Sequence, residues 1–136
     1  MGKDKREYPR THEVVPATLY FVSPQYYYTR QEVQGYIVNV SENGVCLEVR
    51  DKEAILALRY SLDLGSEIKF QAIDKFNLFE NEEHYLLDND CILRWYSEKN
   101  GILRMGCQIA KYRTDWIKYV RMVLAKNYVN NKYEAI

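Results

Sequence analysis

The stretch VQGYIVNVSENGVCLEVR, residues 33–50, consists of two apolar, β-branched runs separated by Ser41-Glu42-Asn43-Gly44. Such runs, broken by a polar Asn-Gly, signal a β-hairpin, because Asn and Gly tolerate the positive φ of a tight turn. The period of two along the first run puts Asn39 and Ser41 on one face, opposite Val38 and Val40. Two polar side chains therefore close an otherwise apolar strand end. Gly44 is expected to take positive φ and to leave room for a bulky planar ligand against the backbone.

Outward from this hairpin the same alternation recurs. VVPATLYFV at 14–22 is a first strand, with Pro16 near its start where a missing N–H does least damage. Residues 51–62 can carry a short helical turn. EIKFQAI at 67–73 alternates as a strand with one wet face, and 91–96 and 102–110 form another hairpin around 97–101. Residues 76–89 mix apolar residues with an acidic run and read as an elaborated connection. From Thr114 the period changes: Trp116, Val120, Val123, Leu124 and Tyr128 share one helical stripe, which Thr114 or Asp115 can cap. About six short strands followed by one helix imply a mainly β fold, an antiparallel barrel whose open side the helix covers.

A chain of 136 residues fits one domain. Lys and Arg number 19 against 19 Asp and Glu, and that balance argues against a general nucleic-acid binder, whose affinity comes from many phosphate contacts. Any anion site must be local. The N-terminal MGKDKREYPR has no apolar h-region and no stretch approaches a membrane span, so the expectation is a cytoplasmic protein without membrane insertion. Cys46, Cys91 and Cys107 lack the close pairing of zinc or redox motifs and read as buried reduced thiols. The 13 tyrosines, including Tyr26, Tyr27 and Tyr28, are explained by strand propensity and amphipathic packing.

Catalytic constellations are thin. His12 and His84 are far apart in sequence, neither has a metal-ligand spacing, and there is no nucleophile elbow or phosphate-binding glycine loop. Glu80, Glu82 and Glu83 read as solvated surface. The expectation is no enzyme, no catalytic residues, no metal and no cofactor. Two places remain. In KREYPR, Arg6 and Arg10 sit four apart beside Lys5, crowding three cations ahead of the first strand; in NVSENG, Asn39, Ser41 and Gly44 close the strand end.

Together these resemble a known family. KREYPR resembles the RxxxR motif of the PilZ family and NVSENG its [D/N]xSxxG motif, in the same order with one strand between them. Leu93-Arg94-Trp95 is similar to the family's apolar-x-Trp strand, and Met105 to Ile109 to its later glycine strand, where Ile109 departs from the usual Phe. The resemblance runs over roughly residues 5–125, with no counterpart for 76–89.

The resemblance implies a six-stranded antiparallel PilZ-type β-barrel with a C-terminal α-helix, residues 13–136. A flexible N-terminal arm, residues 1–12, would fold over cyclic di-GMP on the barrel's outer surface. Arg6 and Arg10 become the phosphate and base clamps, since a guanidinium forks onto phosphate and stacks on guanine. Asn39 and Ser41 would bond a guanine edge or order the loop beneath it, Gly44 would supply clearance, and Lys5 would favour a stacked pair of ligands. The chain then acts as a receptor that orders its arm and signals to an unidentified protein effector. Two alternatives are a PilZ-like interaction scaffold that binds no nucleotide, and a small barrel that binds single-stranded nucleic acid through aromatic and basic side chains.

Overall fold

Alternate residues along the strands point into a single apolar core. In the computed structural model, which describes residues 14–23, 29–59, 61–78, 81–110 and 114–134, the elements run β1 (Val15–Ser23), β2 (Thr29–Val40), β3 (Gly44–Val49), α1 (Lys52–Leu58), β4 (Glu67–Leu78), β5 (Asn81–Lys99), β6 (Ile102–Ile109) and α2 (Thr114–Glu134). The strands form a closed barrel in the order β1-β2-β3-β6-β5-β4, and every neighbouring pair is antiparallel. It is therefore two three-stranded meanders, β1-β2-β3 and β4-β5-β6, sealed along two seams. One seam pairs Ala17–Phe21 with β4, and the other runs from Gly44↔Gln108 to Val49↔Leu103. Closure hides the strand edges along both seams.

Burial follows the period of two. Val15, Ala17, Leu19 and Phe21 face inward on β1, Val45, Leu47 and Val49 on β3, and Ile68, Phe70 and Ala72 on β4. Asp51 caps α1 by accepting from Ala54 N at 2.9 Å, and Ile55 and Leu58 join the core. At the opposite end of β3, α2 brings in Trp116, Tyr119, Val120 and Val123. Trp116 meets Phe70 edge to face at 5.7 Å. Asp115 in the first turn suits the positive end of the helix dipole.

Several expectations change. Residues 76–89 are not an irregular connection but part of the β4–β5 hairpin, whose ladder runs unbroken from Glu67↔Ile92 to Leu78↔Asn81. Beyond Ala72, where the β1 pairing ends, the inward face of this ladder is lined by Asp74 and Tyr85. Both meet the helix: Tyr119 donates its hydroxyl to Asp74 Oδ2 at 2.8 Å, and its ring lies 5.8 Å from that of Tyr85. Burial and the Asp74 carboxylate push the Tyr119 phenol up from its ordinary range. On the outer face of the same ladder Ile73 and Leu86 stand opposite each other, both exposed.

The turns also differ from the reading. Positive φ among the described residues occurs at Gly65, Asn100 and Gly101, not at Gly44. The Asn-Gly pair that uses left-handed backbone is therefore Asn100-Gly101, the two-residue connection between β5 and β6, where two consecutive positive φ values match the strands' twist. Of the three thiols, Cys91 and Cys107 are buried, whereas Cys46 is only half-buried.

Candidate functional site

Two β-bulges shape one stretch of the outer barrel wall. On β2 the pairing with β3 shifts between Ile37 and Asn39, and on β5 the pairing with β6 shifts between Leu93 and Trp95. Each bulge inserts one residue, so the side chains beyond it change face. Without the first bulge the inward run Val33, Ile37 would continue to Asn39. With it, Val40 is buried and Asn39 turns toward the surface. The expectation that Asn39 and Ser41 share a face is met, but Val38 does not join Val40 in the core, because Val38 is the inserted residue.

Between the bulges lies an open cleft of about 310 Å³, lined among others by Asn39, Ser41, Gly44, Arg94, Trp95 and Gln108. Asn39 Oδ1 accepts from Val40 N at 3.0 Å, which stabilises the bulge. Ser41 N donates to Gly44 O at 2.9 Å and Ser41 Oγ to the same oxygen at 3.4 Å, so the serine here orders the turn. The turn is also held from α2: Trp116 Nε1 donates to Ser41 O at 3.0 Å, and Arg121 Nε reaches Glu42 Oε1 at 3.5 Å.

Gly44 matters for space rather than for φ. A Cβ there would sit 3.0 Å from Cys107 O and 3.5 Å from Ser41 Oγ. The carbonyl belongs to β6 backbone fixed by the Val45↔Cys107 pairing, so it cannot easily give way. Gly44→Val is expected to cost about 1–3 kcal/mol of stability by overpacking and shifting Ser41. Urea denaturation checks this; a variant with wild-type stability would contradict it.

Sequence reasoning treated Arg94, Trp95 and Gln108 as barrel residues only. Arg94 and Trp95 are both exposed, because the bulge puts two consecutive side chains outside. Trp95 lies over Gly106, where any side chain would overlap its indole. Arg94 Nε donates to Gln108 Oε1 at 2.9 Å. The one legible signal was Gly106 opposite a tryptophan; the bulge depends on neighbouring strands and leaves no mark in its own. Behind the wall, a hydrogen bond with Cys107, and then burial, push the Cys91 thiol far up, so it is held as an unreactive thiol.

Lys5, Arg6 and Arg10 lie outside the described residues, as do Tyr26, Tyr27 and Tyr28. The start of β1, however, is placed: Val15 pairs with Ile37, two residues before Asn39. No helix among the described residues is long and apolar enough to cross a membrane.

The family model for the PilZ domain matches residues 4–123. No curated protein matches in sequence. Among solved structures, the chain is similar to the Bacillus subtilis inhibitor of motility (MotI/DgrA), with a TM-score of 0.60, 13% identity and coverage of 93% of this chain and 53% of that one. It thus spans about half the length of that protein. It is also similar to the PilZ domain with c-di-GMP of YcgR from Escherichia coli, with a TM-score of 0.56, 11% identity and coverage of 97% of this chain and 98% of that one. At these identities the likeness is one of fold.

Proposed function

The chain belongs to the PilZ domain family, and from that premise we propose that it is a receptor for cyclic di-GMP that acts by binding alone, without catalysis, and signals to a protein effector. The observation that carries this reading is the gathering of Asn39, Ser41 and Gly44 on one outer cleft together with an exposed tryptophan and an arginine. An exposed indole offers a stacking face for a purine, and cations suit its phosphates.

The proposed arm, residues 1–12, leads into β1, which begins beside the strand that carries Asn39. Arg10 is four residues before Val14 and Arg6 eight, so extended chain allows about 14 Å and about 28 Å respectively. Arg6 and Arg10 are proposed as clamps on phosphate and guanine, with Lys5 adding charge for a second, stacked ligand.

Calorimetric titration with cyclic di-GMP, using cyclic di-AMP and GTP as controls, tests the proposal. Saturable binding of cyclic di-GMP alone is expected, with a stoichiometry near two that falls toward one in Lys5→Leu. No binding would leave the interaction scaffold as the standing alternative, and salt-dependent binding of any oligonucleotide would favour the nucleic-acid barrel.

A further inference from the structure

Five arginines have described side chains, and four of them meet a carboxylate. Arg50 Nε lies 2.9 Å and Arg104 Nε 3.1 Å from the buried Glu48, Arg59 Nε donates to Glu98 Oε2 at 2.9 Å, and Arg121 Nε approaches Glu42 at 3.5 Å. Arg94 is the exception among them: its partner is the neutral amide oxygen of Gln108. Its charge is uncompensated by any described neighbour, and it stands on the rim of the cleft that holds Asn39, Ser41 and Gly44.

We infer that Arg94 is the phosphate-binding arginine of this cleft, fixed on the barrel wall and oriented by Gln108 to take a phosphodiester of cyclic di-GMP. The inference rests on the reading of the cleft as a cyclic di-GMP site. Three features support it. The β5 bulge sets Arg94 beside Trp95 on the same outer surface, so a ligand stacked on the indole brings its phosphate to the neighbouring side chain. The Gln108 bond engages Nε and leaves the two terminal nitrogens as an end-on fork, the geometry that binds phosphate oxygens in pairs. The fork is held in place before the ligand arrives, so less side-chain freedom is lost on binding. Gln108 itself is a positioning residue. It sits on β6 directly opposite Gly44, so the turn that carries the serine and the group that aims the arginine are adjacent in the β3–β6 ladder.

The test is calorimetry with cyclic di-GMP on the full chain, comparing wild type, Arg94→Gln, Arg94→Lys and Gln108→Glu, with melting temperature as the control for folding. Arg94→Gln is expected to weaken binding by about tenfold or more and to make it less sensitive to salt, with Arg94→Lys intermediate because a point charge replaces the fork. Gln108→Glu keeps shape and acceptor but gives Arg94 a counter-ion, so it should weaken binding although a purely structural role would tolerate it. Unchanged affinity in Arg94→Gln or in Gln108→Glu, while wild type binds, overturns this inference alone. A wild-type protein that does not bind overturns the reading of the cleft as well.

Discussion

Arg10→Ala and Arg6→Ala are each expected to weaken cyclic di-GMP binding by about 2–5 kcal/mol, well over tenfold, with no change in melting temperature. The size follows from what the ligand demands. Each phosphodiester is a full anion, and a guanidinium bonded to it in a covered site contributes far more than a neutral hydrogen bond, which is worth about 1 kcal/mol. The stability half follows from position. Both arginines precede Val15, where the described core begins on β1. Calorimetry on the two variants reads the affinity and a thermal melt reads the fold. Wild-type affinity in either variant would remove the arm from the site, and the cleft would then have to hold its ligand with Arg94 and the β2–β3 turn alone.

Trp116→Ala should be the most destabilising change considered, by about 3–5 kcal/mol, as expected for emptying a large buried aromatic site. Trp116 is 1% exposed, it packs on Phe70 and Tyr119, and its indole N–H holds the Ser41 carbonyl. These contacts serve two ends, and Trp116→Phe separates them. A phenyl ring retains most of the packing but cannot donate, so the serine turn loses its tether while the core largely persists. That variant should lose about 1–2 kcal/mol of stability and bind cyclic di-GMP more weakly than its modest destabilisation would explain. Urea denaturation gives the first quantity and titration the second. If Trp116→Phe bound normally, the tether would be irrelevant to the site.

Much of the barrel was legible because its core strands obey a strict period of two. Val45, Leu47 and Val49, or Leu103, Met105 and Cys107, announce an inward face whatever lies beside them. The β4–β5 ladder beyond Ala72 escaped notice for the opposite reason. There the inward positions are Asp74, whose carboxylate is bonded by Tyr119 of a helix 45 residues downstream, and Tyr85, whose ring packs on the same tyrosine, so the alternation of apolar and polar residues fails just where the strand continues. Tyr119, three residues after Trp116, also belongs to that helical face and was not read as part of it.

The motif residues of the β2–β3 turn were legible as a group, yet the reason for each shifted. Asn39 faces outward because of a bulge, and a bulge is a mismatch between two strands that neither strand shows by itself. Gly44 was expected to supply unusual backbone, but the neighbouring β6 carbonyl explains it instead. Arg94 and Gln108 were invisible as a pair because fourteen residues and a hairpin separate them.

The division into two meanders bears on how the protein is made. Hairpins β1-β2-β3 are complete once residue 49 has left the ribosome, but their outer strands, β1 and β3, find their remaining partners only in β4 and β6. The second of these seams cannot zip until Ile109 is available. Throughout that interval the nascent first half carries two unsatisfied strand edges, the form of a sheet most prone to pair with the wrong chain. Closing the barrel thus depends on contacts distant in sequence, which places it among slowly folding topologies. A substitution that weakens either seam would be felt first as poor yield during synthesis, before any loss of affinity in the protein that does fold.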